Sequence, residues 1–418
     1  MFRFANHVLK REPIDPLTRE LAPGISAGVT GVQGLRSTME DEHICEPIES
    51  FPEHSLVAVF DGHGGSGAAK YAKENFLLVL IKSEEWNAYW KAYQDGEPQQ
   101  GDLLGIALKI AFRTLDDELR AFQASTFISV EMSDTSAFTA EMPNIFGFEM
   151  PDTSGCTATV TVITPSLIVC ANAGDSRCAL ASGSEAIAMS NDHKPYNAVE
   201  RQRIIAAGGF VSSDGRVCGN LAVSRGFGDF EYKPPDLDAR QQMVTCEPEI
   251  TIHVRKELED GMLILACDGL WDVVDNQEAL TWASIFASVG EGNPLVIAKS
   301  LIDMAIDGEF NRTLKSSDNV SVLVVMFPGA VVGERLSLEV EEAKLKELTD
   351  EQSSIYAEKR AAMPTPYDFT ISQEVDAKYA TRLKEIWEQS SILDYQIKVL
   401  RLAAKHGEKK EGETQCGI

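Results

Sequence analysis

Hydrophobic positions fall into two textures between about Gly28 and Phe327. Residues 56–60, 158–163, 167–171, 262–266 and 320–326 are short, β-branched apolar runs bounded by clusters of Gly, Asp and Asn. Length, branching and turn residues agree there, so these runs predict buried strands. Residues 67–82, 103–122, 198–207 and 293–307 read instead as helices. The mixture predicts α/β layers, with sheets held between helices. Residues 123–153 are richer in Ser, Thr, Met and Pro with weak periodicity, and predict a surface insertion.

After Pro328-Gly329 the texture changes. Residues 334–361 and 373–405 are helical in composition, with a Pro364-Thr365-Pro366 break between them. In the second segment Tyr379, Leu383, Ile386, Leu393, Ile397, Leu400 and Ala404 follow alternating four- and three-residue steps, with Ser390 the exception. That spacing predicts an amphipathic helix packed on its partner helix or on the main body. An intermolecular coiled coil, and so self-association or partner binding through these helices, is the alternative. The polar residues 406–418 predict a frayed tail.

Composition narrows the partners. The 418 residues carry 38 Lys+Arg against 64 Asp+Glu, a formal net charge of -26. Such a surface repels polyanions and argues against a nucleic-acid or acidic-membrane binder. It admits a phosphate-bearing substrate only where cations gather in one cleft. Eight cysteines show no Cys-x-x-Cys pair and no clustering with histidine, so neither zinc sites nor a disulfide framework is expected. Several lie within apolar runs and predict buried free thiols in a reducing compartment. The first seven residues lack a signal-peptide core, Phe2 stands where N-myristoylation needs glycine, and Cys416 makes no prenylation box. Apolar stretches such as 76–81 and 320–327 are too short to span a bilayer. The expectation is a soluble intracellular protein of the cytoplasm or nucleus.

Candidate chemistry lies in acidic residues that recur in one local context. The run 56–60 leads into Asp61-Gly62-His63-Gly64-Gly65, and 263–267 into Asp268-Gly269-Leu270-Trp271-Asp272. The run 169–174 leads to Asp175-Ser176-Arg177, and Asp318-Asn319 immediately precedes the run 320–326. A single aspartate at a strand end is usually a turn residue or helix cap. Several, each beside a glycine or asparagine, could converge, and converging carboxylates repel unless a cation neutralises them. With oxygen ligands alone the matched ions are Mg²⁺ or Mn²⁺. Two such ions about 4 Å apart would activate a bridging water and clamp a phosphoryl group. The residues point to a metal-dependent phosphoryl hydrolase.

The ordered set Arg36-Ser37-Thr38-Met39-Glu40-Asp41, Asp61-Gly62-His63-Gly64-Gly65, Gly155-Cys156-Thr157-Ala158, Gly174-Asp175-Ser176-Arg177, Asp192-His193-Lys194-Pro195, Leu221-Ala222-Val223-Ser224-Arg225, Gly228-Asp229, Asp268-Gly269-Leu270-Trp271-Asp272 and Asp318-Asn319-Val320-Ser321 carries more. Together these motifs resemble the PP2C (PPM) family of metal-dependent protein serine/threonine phosphatases, over about residues 25–328. The resemblance implies an α+β fold, a four-layer α-β-β-α sandwich of two antiparallel sheets flanked by helices, here with a C-terminal helical extension. It frames the chain as a leader (1–24), a catalytic domain (25–328) with a flap region (192–233), and helices over 331–405. Carried over residue by residue, it implies that Asp61 bridges two metals and that the Gly62 carbonyl ligates one. Glu40 would hold the second metal, partly through water, and Asp268 and Asp318 the first. Asp41 matches a supporting carboxylate, and Asp175 with Asp268 and Asp272 matches a weaker third-metal site. Arg36 would grip the substrate phosphate, and His63 would protonate the serine or threonine leaving group.

The implied reaction is dephosphorylation of phosphoserine and phosphothreonine on proteins by a metal-bridging hydroxide, without a phosphoenzyme. Cysteine chemistry would need Cys-x5-Arg, and six residues separate Cys170 from Arg177. An aspartyl-phosphate enzyme would need Asp-x-Asp-x-Thr, and Asp236-Leu237-Asp238-Ala239-Arg240 lacks the threonine. A pseudophosphatase scaffold and a metal phosphodiesterase or nuclease are the competing classes. The intact ligand set opposes the first and the net charge the second. Lys194, Arg201, Arg203, Arg216 and Lys233 in the flap could meet phosphopeptide charge, or be a solvated face. Gly226-Phe227 stands where many relatives carry Ala-Leu or Ala-Phe, with little expected effect.

Overall fold

The computed structural model describes residues 9–132, 152–183, 185–289, 292–308, 315–328, 338–362 and 378–386, with Gln389, Ser390, Leu393 and Ile397. In chain order the first strands are β1 (Ile14–Ala22), β2 (Ile25–Val32), β3 (Glu42–Pro47), β4 (Ser55–Phe60), β5 (Gly62–His63), β6 (Gly155–Cys156) and β7 (Ala158–Ile163). Then come β8 (Leu167–Ala173), β9 (Arg177–Ser182), β10 (Glu185–Ala188), β11 (Phe227–Gly228), β12 (Glu249–Val254), β13 (Asp260–Ala266) and β14 (Val320–Met326). The α-helices are α1 (Gly67–Lys82), α2 (Glu84–Gln94), α3 (Gln100–Met132), α4 (Ala198–Ala206), α5 (Asp268–Trp271), α6 (Asn276–Val289), α7 (Pro294–Asp307) and α8 (Leu338–Ala362).

Two antiparallel sheets form the centre, ordered β1-β2-β14-β13-β9-β10 and β12-β8-β7-β4-β3. Strand alternation explains why they stack. In β4, Val57 and Val59 join a core shared with Leu263, Leu265, Leu323 and Val325 of the other sheet. Leu56, Ala58 and Phe60 point the opposite way, into a core with Phe76 of α1 and Leu108 and Phe112 of α3. Both faces of β4 are therefore apolar, as a central layer requires. Each such Val, Leu or Phe side chain stabilises the fold by about 1.5–3 kcal/mol on burial. On the far side α7 packs against β2 and β14. The result is the expected four-layer α-β-β-α sandwich.

Several expectations are corrected. Residues 14–22 are no leader: they form β1, paired with β2. The helix expected over 103–122 runs from Gln100 to Met132, into the expected insertion, and just past 122 the buried Gln123 donates its Nε2 hydrogen to the Ser154 carbonyl at 3.1 Å. The rest of that insertion, 133–151, lies outside the described residues. Of the eight cysteines, Cys45, Cys156, Cys170, Cys178, Cys246 and Cys267 are buried free thiols.

The chain divides into two compact units, Met1–Ala283 with Pro294–Val331, and Ser284–Asn293 with Val332–Ile418. Within the second unit α8 meets the segment 378–386. Arg382 donates to both carboxylate oxygens of Glu351 at 2.7 and 2.8 Å, and the Tyr379 hydroxyl donates to Glu358 at 3.3 Å. Ile386, Leu393 and Ile397 of the apolar stripe are buried. Within one chain, α8 and the segment 378–386 are thus joined by these side chains. The Pro364–Pro366 break and residues 406–418 lie outside the described residues. Among the described residues no helix is long and apolar enough to cross a membrane.

Candidate metal centre

Each candidate carboxylate stands where a core strand begins or stops. β4 hands over directly to Asp61, while Asp175 and Asp268 follow closely on β8 and β13. Asp318 stands just before β14, and Glu40 and Asp41 just before β3. Because the two sheets stack, these ends open on one cleft of about 490 Å³. Arg36, Glu40, Asp61, Asp175, Asp268 and Asp318 all line it, as do Gly62 and His63.

Ligand oxygens of Asp61, Asp175 and Asp268 lie within 4.8 Å of one another. Asp41, Asp61 and the Cys267 sulfur form a second group with the same spacing. Cys267 is already engaged: its Sγ donates to the Asn319 carbonyl at 3.4 Å and accepts the Ser321 N–H at 3.1 Å. Burial, with Asp41 and Asp61 nearby, pushes its thiol pKa well up, so it stays a neutral thiol. The available donors are hard oxygens. Asp41 is buried with neither carboxylate oxygen hydrogen-bonded.

The electrostatics follow from that crowding. Burial, then the charges of Asp41, Asp268 and Asp175, raise Asp61 well above the ordinary carboxylate range. Burial, then Asp175, Asp272 and Asp318, raise Asp268 to about 8. Burial, with the charge of Asp318 adding to it, raises Asp41 to about 6. Carboxylates that resist ionising together are stabilised by a cation placed among them. Unpartnered buried oxygens and an all-oxygen set fit a hard divalent ion.

Main-chain clamps hold the geometry. The Asp61 N–H donates to Thr157 Oγ1 at 3.2 Å, and its carbonyl accepts the Thr157 N–H at 2.9 Å. Asn319 Oδ1 accepts the Glu40 N–H at 2.9 Å, while its Nδ2 donates to the Gln33 and Thr38 carbonyls, each at 2.9 Å. Glu40 itself accepts from the Thr38 hydroxyl at 2.7 Å and the Gly65 N–H at 3.2 Å. Glycine is required at 62, since a Cβ there would lie 2.3 Å from the Glu40 carbonyl oxygen.

Arg36 lies on the cleft, exposed and ion-paired to Asp318. His63 lies on it with Nε2 2.9 Å from both carboxylate oxygens of Asp229. Burial opposes protonation of His63, but the charge and hydrogen bond of Asp229 outweigh it and raise the imidazole pKa. Asp272, at the C-cap of α5, is not among the cleft-lining residues, although its charge reaches Asp268.

The flap cations divide. Arg216 lines the cleft, and Arg201 is exposed. Lys194 is ion-paired to Asp175. Arg203 is mostly buried against Glu200 at 2.7 Å. Lys233 is fully buried against Asp116 at 2.9 Å. The last two therefore hold the fold together rather than meet substrate charge. Sequence reasoning gave no role to Thr157, Asp229 or Asn319, although each stands inside a quoted motif. For Asn319 the position after Asp318 was the only signal.

The family model for protein phosphatase 2C matches residues 25–311. This chain belongs to the protein phosphatase 2C family. It is 36% identical over 312 residues to "Protein phosphatase ppm-1.A" of Caenorhabditis elegans, which covers 73% of this chain and 60% of that relative. It is 33% identical over 372 residues to "Protein phosphatase 2C homolog 2" of Saccharomyces cerevisiae, covering 87% of this chain and 71% of the relative. A crystal structure of serine-threonine phosphatase 2C from Toxoplasma gondii matches the fold with TM-score 0.60 at 21% identity, covering 76% of this chain and 98% of that one. The domain is that of a metal-dependent protein serine/threonine phosphatase, with an acidic cluster able to hold metal.

Proposed function

We propose that this chain hydrolyses phosphoserine and phosphothreonine on proteins with Mg²⁺ or Mn²⁺ in its acidic cleft. The supporting observation is the gathering of Asp61, Asp175 and Asp268 within 4.8 Å beside Arg36 and His63. Asp61 would bridge two ions, with Asp268 and Asp318 on the first, Glu40 on the second, and the Gly62 carbonyl on one of them. Asp175, with Asp268 and Asp272, would hold a weaker third, and Asp41 would back the cluster from its buried position. When bound, such ions lower the pKa of a coordinated water and neutralise phosphoryl oxygens.

The protein's own groups do the rest. Arg36 presents a planar guanidinium to the phosphate dianion. His63 faces the departing serine or threonine oxygen and gives it a proton, which a poor alkoxide leaving group needs. No phosphoenzyme forms in this reading. It is supported by Cys170 and Cys178, which lie buried in the core between the sheets, away from any phosphate. The test is phosphate release from a phosphothreonine peptide with and without added Mg²⁺ or Mn²⁺. Release only with metal, lost in Asp61→Asn/Asp268→Asn, is expected; metal-independent release, or normal turnover by the double variant, contradicts it.

A further inference from the structure

Asp229 belongs to no carboxylate group described above, yet it sits in a built position. β5, β6 and β11 form a small separate sheet in the order β11-β6-β5. Its register sets His63 opposite Gly155, and Gly155 opposite Gly228. The next residue, Asp229, is buried with left-handed backbone at φ 53°, ψ 40°. A non-glycine residue there carries strain that its surroundings must hold. Its carboxylate lies against Gly155, where a Cβ would come within 2.3 Å of Oδ2. From that slot both oxygens reach His63 Nε2 at 2.9 Å.

A second buried pair fixes the slot from behind. Asp116, on α3, accepts the Gly228 N–H at 2.9 Å and the Lys233 ammonium on both oxygens at 2.9 Å. Lys233 also donates to the Gly226 carbonyl at 2.8 Å, and Arg120 donates to the Lys233 carbonyl at 3.1 Å. Buried pairs of this kind are weak evidence for stability, because desolvation offsets much of their attraction. This one grips the main chain on either side of Phe227 and so holds the bend that aims Asp229.

We infer that Asp229 is the positioning residue for His63, fixing its ring and tautomer from a buried slot behind the ring. The inference rests on the reading of His63 as the proton donor. The carboxylate accepts the Nε2 hydrogen, which leaves Nδ1 as the nitrogen able to pass a proton to the substrate. In that step the Nδ1–H bond breaks and an O–H bond forms on the departing serine or threonine oxygen. The ring is left neutral, with the hydrogen still bonded to Nε2 and donated to Asp229. The arrangement parallels the carboxylate that orients the histidine of a serine-protease triad, where loss of its charge leaves the wrong tautomer.

The test exploits leaving-group chemistry. A phosphothreonine peptide expels an alkoxide that needs a proton, whereas p-nitrophenyl phosphate expels a stable phenolate that does not. Asp229→Asn suits the left-handed backbone and should fold. Its kcat on the peptide should fall at least about tenfold, its KM should stay close to wild type, and turnover of p-nitrophenyl phosphate should fall several-fold less. Adding Asp229→Asn to His63→Ala should cost little more than His63→Ala alone. Equal losses on both substrates, an additive double variant, or no loss on the peptide would overturn the inference. If wild type turned over neither substrate with metal, the phosphatase reading would fall first and this assignment with it.

Discussion

Asp268 shows how a residue's burial and neighbours become a measurable property. Its carboxyl is raised from 3.8 to about 8 in the metal-free protein. A carboxyl that holds its proton more tightly when folded favours the fold at low pH. That contribution is complete below the ordinary value and is lost as pH rises through about 8. Metal-free wild type should therefore lose stability relative to Asp268→Asn as pH rises across that window. The two should converge in acid and part at alkaline pH by at least about 2 °C in Tm, measured by calorimetric scans. A wild type that gains on the variant with rising pH would contradict the crowding. Arg36→Ala should raise KM about tenfold with kcat nearly kept, and His63→Ala should lower kcat roughly 10²-fold. Steady-state kinetics on one phosphopeptide separates the two.

At this scale the sequence was informative where one residue type repeats one context. Asp61, Asp175, Asp268 and Asp318 each mark the edge of an apolar run, so their common destination could be argued before any fold was known. Asp229 carries no such mark. It follows a two-residue strand, and its role depends on a backbone turn and a partner 166 residues away. Lys233 read as a surface cation for the same reason, since its carboxylate lies 117 residues earlier on α3.

Among the elements, β4, β7, β8, β13 and β14 were legible because they are buried on both faces and rich in branched side chains. β1 was not, because two register irregularities break its alternation and most of its side chains are exposed or half-buried. β5, β6 and β11 have two residues each, too few for any period. The tie between α3 and the loop after β11 gives a test of element coupling. Lys233→Met strands a buried Asp116 and should cost about 3–5 kcal/mol by denaturant unfolding. Asp116→Leu/Lys233→Met should recover much of that stability, while peptide turnover stays low because Asp229 loses its support. A single variant as stable as wild type would show that the pair holds nothing.

Across the whole molecule, the candidate site lies between Arg36 and Asp318, all within the first compact unit. Every described residue that lines that cleft belongs to this first unit. A chain ending at Val331 should therefore keep kcat/KM on a short phosphopeptide within about threefold of full length, provided it remains soluble. A larger loss in a folded truncation, checked by circular dichroism, would assign the tail a part in catalysis. The net charge of -26 remains a property of the surface, and the cleft must supply its own positive charge.

That requirement is open to direct measurement by calorimetric titration of Mn²⁺ into the purified chain. Wild type should take up at least two ions per chain with measurable heat, and Asp61→Asn/Asp268→Asn should lose that uptake while remaining folded. A folded wild type that binds no divalent ion, or a double variant that binds as wild type does, would contradict the metal centre and the chemistry built on it.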